Sequence, residues 1–303
     1  MRLDRRHDPA KGNSGRDDYC LVFVHIPKSA GSTLSTSLAL NYPPHQTIRL
    51  DLMDRPAAEI ENEIPLEERA RVRLFRGHVP YGIHRHIPRR CEYITVLREP
   101  VARVRSAYKF ILRNPAAFSR HPLHDPEVGG KIGLEGYLES QDLLDGRGNR
   151  QTRLLSGRQS GDVDREALEE AKRNLEGFLV VGLTERFEET FVLVRRALRL
   201  RIPLYVTRLV APPLEVSDRA VDLIREQNQL DLELYAFARK LFVRQVAAQG
   251  SSFGLEVAAY KAMRPLSRAL GSGRAEDFLR KLTAARAAWD RARGRPFPEV
   301  RPP

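Results

Sequence analysis

The chain has few cysteines and no long apolar run, and each shortage excludes certain classes of protein. Its 303 residues include two cysteines, Cys20 and Cys91, which excludes a disulfide-rich scaffold and a cysteine-based metal site. No apolar stretch approaches the roughly 18 residues that span a bilayer, and no apolar segment of a secretory signal follows the charged first residues. We therefore expect a cytoplasmic protein whose two cysteines are small buried hydrophobes.

Aromatic residues are few, and acidic residues are outnumbered by basic ones. Aromatics make up 7% of the chain and do not interleave with a basic stripe, which argues against a nucleic-acid partner. Asp and Glu number 39 against 51 Lys and Arg, so the formal net charge is +12. This balance favours anionic partners such as a nucleotide, an acidic glycan or a membrane surface.

Composition divides the chain into three parts. Residues 1–18 are charged and predicted to be disordered, residues 19–247 carry the periodicity of a folded domain, and residues 248–303 are predicted to form a basic helical extension. The extension has an apolar stripe, ringed by arginines, made of Phe278, Leu282, Ala285 and Trp289. Such a stripe predicts docking on the core, on a second subunit in a homo-oligomer, or peripherally on an acidic membrane; we favour the first two.

Short apolar runs alternate with segments of helical periodicity. The pattern predicts strands near residues 20–26, 72–78, 93–97 and 178–183. It predicts helices at 34–42, from Pro100 onward, and at 165–175, 187–198 and 218–246, the last as one helix or a pair. The stretch 114–161 is predicted to be loops around one short helix. Alternation of this kind predicts an α/β fold with a parallel sheet.

The first predicted strand runs into a loop suited to a phosphate group. The strand breaks at Pro27, and a helical pattern begins just after the loop Lys28, Ser29, Ala30, Gly31, Ser32 and Thr33. Backbone N–H groups and a helix N-terminus converge in such a loop. It differs from a standard P-loop, in which the glycines precede the lysine.

A second anion-binding candidate follows the strand near residues 93–97. This strand is followed by Arg98 rather than by the aspartate that a magnesium-dependent NTPase would use, and Ser106 lies further along the next helix. A cation at this position suits a phosphate with no metal between them. Two phosphate sites in one fold favour a doubly phosphorylated nucleotide.

Together these motifs resemble those of sulfotransferases. The run His25–Thr33 resembles the 5′-phosphosulfate loop of that family, and Leu97–Tyr108 is similar to its 3′-phosphate motif. Gly77–Gly82 resembles the short catalytic segment of the carbohydrate (heparan or uronyl) 2-O-sulfotransferase branch and its bacterial relatives. The resemblance covers roughly residues 19–245, with later family segments at Gln151–Gly157, Val181–Glu185 and Asn228–Phe242.

The resemblance implies a fold, a donor and a role for each motif. The fold would be a P-loop-like three-layer α/β domain with a central parallel sheet flanked by helices, and the donor 3′-phosphoadenosine 5′-phosphosulfate (PAPS), leaving adenosine 3′,5′-bisphosphate (PAP). Lys28 would contact the phosphosulfate and steady the leaving oxygen, while the backbone of residues 29–33 cradles the 5′-phosphate. Arg98 and Ser106 would hold the 3′-phosphate, and His78 would be the general base. The acceptor would be a carbohydrate or glycolipid, and no metal is implied.

Other interpretations stay open on the sequence alone. Arg98 has possible ion-pair partners in Glu99 and Glu185, and a histidine after a strand, such as His78, is often a packed core residue; His84 is then the next base candidate. The 2-O branch carries a second histidine where this chain has Arg76, so a uronic-acid acceptor does not follow from the motif. The competing functions are a P-loop-type kinase and a non-catalytic basic binding protein that keeps the fold.

Overall fold

The computed structural model describes residues 19–52, 55–116, 118, 121–124, 133–139, 148–202, 205 and 216–265. Within these ranges five strands form one sheet. They are β1 (Cys20–Val24), β2 (Thr47–Arg49), β3 (Leu74–Gly77), β4 (Cys91–Leu97) and β5 (Val180–Leu183).

Eleven α-helices occupy the same described ranges. They are α1 (Gly31–Asn41), α2 (Ile60–Glu63), α3 (Leu66–Arg71), α4 (Pro100–Arg113), α5 (Leu134–Glu139), α6 (Arg150–Ser156), α7 (Arg165–Glu176), α8 (Phe187–Leu198), α9 (Asp218–Gln227), α10 (Gln229–Ala247) and α11 (Ser252–Ala262). Short 3₁₀ turns join several of them, at Pro44–Gln46, Ala57–Glu59, Ile83–His86, Pro122–His124 and Thr184–Arg186.

The sheet is parallel throughout, with the strand order β2-β3-β1-β4-β5. The central strand β1 is buried along its whole length, which is typical of a parallel sheet covered by helices on both faces. The predicted α/β class is therefore confirmed. After β1 the chain moves to β2 and β3 on one side and then crosses to β4 on the other. Ligands of open α/β sheets bind at such a reversal, beyond the carboxyl ends of the strands.

Several boundaries differ from the sequence prediction. The first strand ends at Val24 rather than at residue 26, and the last begins at Val180 rather than at residue 178. The short edge strand β2 was not predicted, because Ile48 is its sole buried residue. The stretch 114–161 contains two α-helices in its described parts, α5 and α6, rather than one. Residues 218–246 form a pair of helices.

The two cysteines differ in burial, so the prediction holds for one of them. Cys20 is fully buried, whereas Cys91 is half-buried at the start of β4. The two residues are register partners on neighbouring strands, and both are free thiols.

The helix α11 begins the predicted extension and packs on the main core. Its Phe253, Val257 and Tyr260 are buried in the same apolar cluster as β1, and its Glu256 pairs with arginines of α8. Residues 1–18 and the stripe at Phe278, Leu282, Ala285 and Trp289 lie outside the described residues, so the predicted three-part division stays a prediction. In the part of the chain that the structure describes, no helix is both long and apolar enough to cross a membrane.

A buried carboxylate joins α10 to α6. Asp231, which is 0% exposed, accepts hydrogen bonds from the backbone N–H of Gln151 at 3.1 Å and from the N–H and hydroxyl of Thr152, each at 2.8 Å. These two N–H groups lie in the first turn of α6, which has no intrahelical acceptor for them. Asp231 therefore acts as a cap supplied by another helix.

We expect Asp231→Ala to lower the free energy of unfolding by about 3 kcal/mol or more, because buried donors left without an acceptor cost about 1–3 kcal/mol each. Urea denaturation measures the change. The exposed Asp222 of α9 is the matched control, and Asp222→Ala should leave stability unchanged. Equal losses for the two variants would contradict the capping role.

Candidate active site

The loop after β1 has the backbone of an anion site. Lys28 and Ala30 both have positive φ, at 67° and 56°, a conformation uncommon for residues with a side chain. The N-cap residue Ala30 makes no side-chain cap, and the first turn of α1 has no acid. The N–H groups of Gly31 and Ser32 have no intrahelical acceptor. The positive end of α1 is thus arranged for an anion from outside the helix.

A buried hydroxyl in the same loop fits this arrangement. The side chain of Ser29 is 0% exposed, and its Oγ has no hydrogen-bond partner among the described residues. A buried hydroxyl normally has one. The hydroxyl, the helix terminus and the Lys28 side chain together match the donor set that a phosphate or phosphosulfate requires.

Gly31 is required by a neighbouring histidine. A Cβ at this position would lie 1.9 Å from Cδ2 of His25, which leaves room for glycine alone. The His25 ring in turn lies against the ring of His78, with centroids 4.5 Å apart. The Lys28 loop and the predicted catalytic histidine are therefore in contact through His25.

The hydrogen bond of His78 defines its tautomer. Nδ1 lies 2.7 Å from the backbone carbonyl of His25. A carbonyl can only accept, so Nδ1 must carry the proton and the neutral ring has its lone pair on Nε2. The geometry presents Nε2 as a proton acceptor, which is the property that a general base needs.

His25 itself is held neutral. Burial lowers its pKa well below 6.5, and the charges of His78, Arg49, Arg76 and Lys28 act in the same direction. A neutral His25 adds no positive charge against the ring of His78. His25 is therefore the packing and orienting partner of His78 rather than a second proton carrier at neutral pH.

The two anion motifs meet through one hydrogen bond. Nη1 of Arg98, directly after β4, donates to the backbone carbonyl of Lys28 at 2.9 Å. The side-chain amide of Gln151 holds the backbone of Arg98 from both sides, by Oε1 to its N–H at 3.0 Å and by Nε2 to its carbonyl at 2.9 Å. The buried Nε of Arg98 has no partner among the described residues. The guanidinium is thus fixed in place while keeping a donor for a ligand.

The two carboxylates proposed as partners of Arg98 are otherwise engaged. Glu99 caps α4 by accepting from the N–H groups of Val101 and Ala102. Glu185 accepts from the N–H of Glu99 and from the hydroxyl of Tyr235. Neither makes an ion pair with Arg98 in the described part of the chain. Their charges still favour the cationic form of Arg98, whose pKa burial lowers.

The side chain of Lys28 contacts α4, the helix that carries Ser106. The ammonium of Lys28 sits 3.6 Å from the centroid of the Phe110 ring on α4, a cation–π contact. Ser106, half-buried, precedes Phe110 by one helical turn, so it shares that helix face. The structure brings Lys28, Arg98 and Ser106 to one side of β1 and His78 to the other. Their roles toward a ligand stay predictions.

The alternative base His84 has a different environment. Its Nδ1 lies 2.8 Å from the hydroxyl of Tyr93, and its ring packs against Tyr81 and Tyr93. Burial lowers its pKa. In the described part of the chain no group of three or more His, Cys, Asp or Glu is arranged to hold a metal ion.

Residues 16–155 match the family model described as "Sulfotransferase family". Over these residues the chain is similar in sequence to the sulfotransferase family. The matched segment contains the Lys28 loop, His78 and Arg98, so the resemblance found in the motifs is confirmed at the level of the family.

The curated relatives are carbohydrate sulfotransferases by name. The chain is 27% identical over 280 residues to human heparan-sulfate 6-O-sulfotransferase 1, covering 75% of this chain and 66% of the relative. It is 28% identical over 281 residues to heparan-sulfate 6-O-sulfotransferase 3-B of Danio rerio, covering 76% and 65%. Heparan-sulfate 6-O-sulfotransferase 2 of Danio rerio is 31% identical over 181 residues, covering 50% and 38%. The chain thus spans between about two fifths and two thirds of these relatives. They carry 6-O names, whereas the sequence motifs were compared with the 2-O branch.

Sequence reasoning missed the residues that hold the site together. Gln151 was recognised within a family segment but given no role, and Asp231 was treated as part of a helix. Arg49 was not considered at all. Each acts on a partner distant in sequence, and the one signal available was that Gln151 and Asp231 fall in segments resembling the family.

The neutral state of His25 predicts a pH dependence of stability. Above pH 6.5 neither the folded nor the unfolded state protonates this residue. Below 6.5 the unfolded chain binds a proton that folded His25 resists, so stability should fall by up to about 1.4 kcal/mol per pH unit. The variant His25→Gln should lose less stability than the wild type between pH 6.5 and 5. Parallel denaturation curves across this range would contradict the assignment.

Proposed function

We propose that this chain transfers a sulfuryl group from PAPS to a hydroxyl of a carbohydrate or glycolipid acceptor. The observation that carries the proposal is the contact of three elements at one edge of the sheet: the Lys28 loop, the Arg98 guanidinium bonded to it at 2.9 Å, and His78 with Nε2 presented as an acceptor. The family match and the names of the relatives support the same reaction.

The donor would be held at both of its phosphate ends. The N–H groups of Gly31 and Ser32 and the Ser29 hydroxyl are donors for the 5′-phosphate. Arg98, with Ser106 on the adjacent helix, would hold the 3′-phosphate, which ATP lacks. The donor supplies the sulfuryl group, and the charged and polar groups above supply its orientation.

His78 would accept the proton of the acceptor, and Lys28 would stabilise the charge on the leaving group. Nε2 of His78 accepts the proton of the acceptor hydroxyl, whose oxygen forms the new bond to sulfur as the bond between sulfur and the phosphate oxygen breaks. Lys28 would stabilise the negative charge that gathers on the leaving phosphate. In the structure the Lys28 ammonium lies 3.6 Å from the centroid of the Phe110 ring. His25 keeps His78 in the required tautomer through its carbonyl.

The site offers less support for a P-loop-type kinase. Such an enzyme needs carboxylates at a strand end to hold magnesium, and β4 is followed by Arg98 and by Glu99, which is used as a helix cap. A non-catalytic binding protein would not require the lone pair that His78 presents on Nε2.

The proposal is tested by incubating the protein with sulfur-35-labelled PAPS and a panel of heparan sulfate, desulfated heparan, chondroitin and neutral glycans. We expect label in at least one glycan and release of PAP. A protein that neither binds PAP nor labels any acceptor would contradict it.

Arg98→Ala should weaken PAP about ten- to hundredfold, because one charge-assisted contact to the 3′-phosphate is lost. Adenosine 5′-monophosphate, which lacks that phosphate, should bind nearly as before. Isothermal titration calorimetry measures both. Arg244→Ala, at an exposed position of α10, is the charge-matched control and should change neither affinity. Equal losses for the two nucleotides would mean that Arg98 only supports the loop.

His78→Ala should lower kcat by about 10² to 10⁴ while PAP affinity stays near that of the wild type. The matched control is His84→Ala, a histidine of the same segment that is bonded to Tyr93. If His84→Ala loses turnover and His78→Ala does not, the assignment of the base is wrong.

A further inference from the structure

Two arginines lie side by side at the carboxyl ends of β2 and β3. Arg49 and Arg76 are register partners on these parallel strands, so their side chains leave the same face of the sheet. Burial and the charge of Arg49 together lower the pKa of Arg76 to about 10. The pair is therefore a site of concentrated positive charge.

No carboxylate balances this pair within the described residues. Nη1 of Arg76 donates to the hydroxyl of Ser35 at 2.8 Å, and its buried Nε has no partner. The side chain of Arg49 is exposed and makes no ion pair there. Arg76 is half-buried, and a half-buried cation beside a like charge with no counter-ion is costly, so natural structures normally pair it. An anion from solution would supply the missing charge and accept from the unused donors.

The pair is adjacent to the proposed base. Arg76 precedes His78 by two residues, and the chain after Arg49 runs alongside it, with the N–H of Leu50 bonded to the carbonyl of Arg76 and that of Leu52 to the carbonyl of His78. Arg49, Arg76 and His78 are all near enough to the buried ring of His25 to contribute to lowering its pKa. One small volume therefore holds both arginines and the base.

The pair lies on the side of the sheet away from the donor motif. In the order β2-β3-β1-β4, Arg98 follows β4 and the Lys28 loop follows β1, whereas the arginine pair belongs to β2 and β3. His78, directly after β3, stands between the two groups. A donor bound at β1 and β4 leaves the β2–β3 side to the molecule that gives up its proton to His78.

We propose that Arg49 and Arg76 bind an anionic substituent, a carboxylate or a sulfate, on the acceptor next to the hydroxyl that reacts. This inference rests on the proposed function and narrows its acceptor to acidic sugars. Arg76 stands where the 2-O branch carries a histidine, so the cation is a feature of this chain rather than of that motif.

The test measures binding of three oligosaccharides of one length to the protein saturated with PAP. The first is heparosan, with carboxylates alone; the second is carboxyl-reduced and N-sulfated, with sulfates alone; the third is carboxyl-reduced and uncharged. We expect the wild type to bind at least one charged form at least tenfold more tightly than the neutral one. The form preferred identifies the anion.

Arg49→Ala is the informative variant, because the exposed side chain of Arg49 makes no ion pair whose loss would disturb the described fold. It should weaken the preferred charged form about tenfold or more and leave the neutral form and PAP unchanged. Arg76→Gln should show the same selective loss, and thermal melting checks that it folds. Arg244→Ala, the control, should bind all ligands as the wild type does.

Three outcomes would overturn the proposal: equal affinity of the wild type for charged and neutral forms, an equal loss with Arg244→Ala, or a loss of PAP affinity in Arg49→Ala as large as the loss for the glycan. A loss of PAP affinity of that size would mean that Arg49 binds a phosphate of the donor rather than an anionic group of the acceptor. Failure of the proposed function is distinguishable, because it appears as absence of PAP binding and sulfuryl transfer, whereas the effect of Arg49→Ala on glycan binding needs no turnover.

Discussion

The hydrogen bond from the Arg98 guanidinium to the Lys28 carbonyl joins the ends of β1 and β4, and the organisation of the site depends on it. A parallel sheet brings the carboxyl ends of all its strands to one edge, but it does not fix the distance between two loops at that edge. The bond does so, and Gln151 strengthens it by holding the backbone of Arg98 from both sides. Since Gln151 is positioned by α6, and α6 is capped by Asp231 of α10, the placement of Arg98 depends on a chain of buried polar contacts reaching the C-terminal half of the domain.

His25 and His78 lie at the same edge of the sheet, where burial keeps His25 neutral and a hydrogen bond fixes the tautomer of His78. His25 is kept neutral by burial and by the surrounding cations, and it offers its carbonyl rather than its ring to His78. Gly31 must be glycine to leave room for this ring. The loop that would bind the 5′-phosphate and the residue that would accept the acceptor proton are thus built against one another, so a change in either is transmitted to the other over a single side chain.

Much of this was predictable, and the remainder has a common physical cause. The helix 187–198 was predicted with its observed ends, because an apolar stripe and a preceding apolar strand define it locally. The loop at Lys28 and the cation at Arg98 could be singled out because an anion site requires particular residue types in a short run, and their roles toward a ligand stay predictions. The strand Thr47–Arg49 was not predicted, because a single buried residue gives no alternating apolar pattern. The contact of His25 with His78, and the roles of Gln151 and Arg49, depend on pairings between distant segments, which local patterns do not encode.

The account is tested most directly by a crystal structure of the protein with PAP. It predicts the 5′-phosphate at the N–H groups of Gly31 and Ser32, beside the Ser29 hydroxyl, and the 3′-phosphate on Arg98 and Ser106, with the bond from Arg98 to the Lys28 carbonyl retained. The space beside His78 Nε2 should stay open toward Arg49 and Arg76. A nucleotide bound away from the Lys28 loop, or a 3′-phosphate that makes no contact with Arg98, would contradict it.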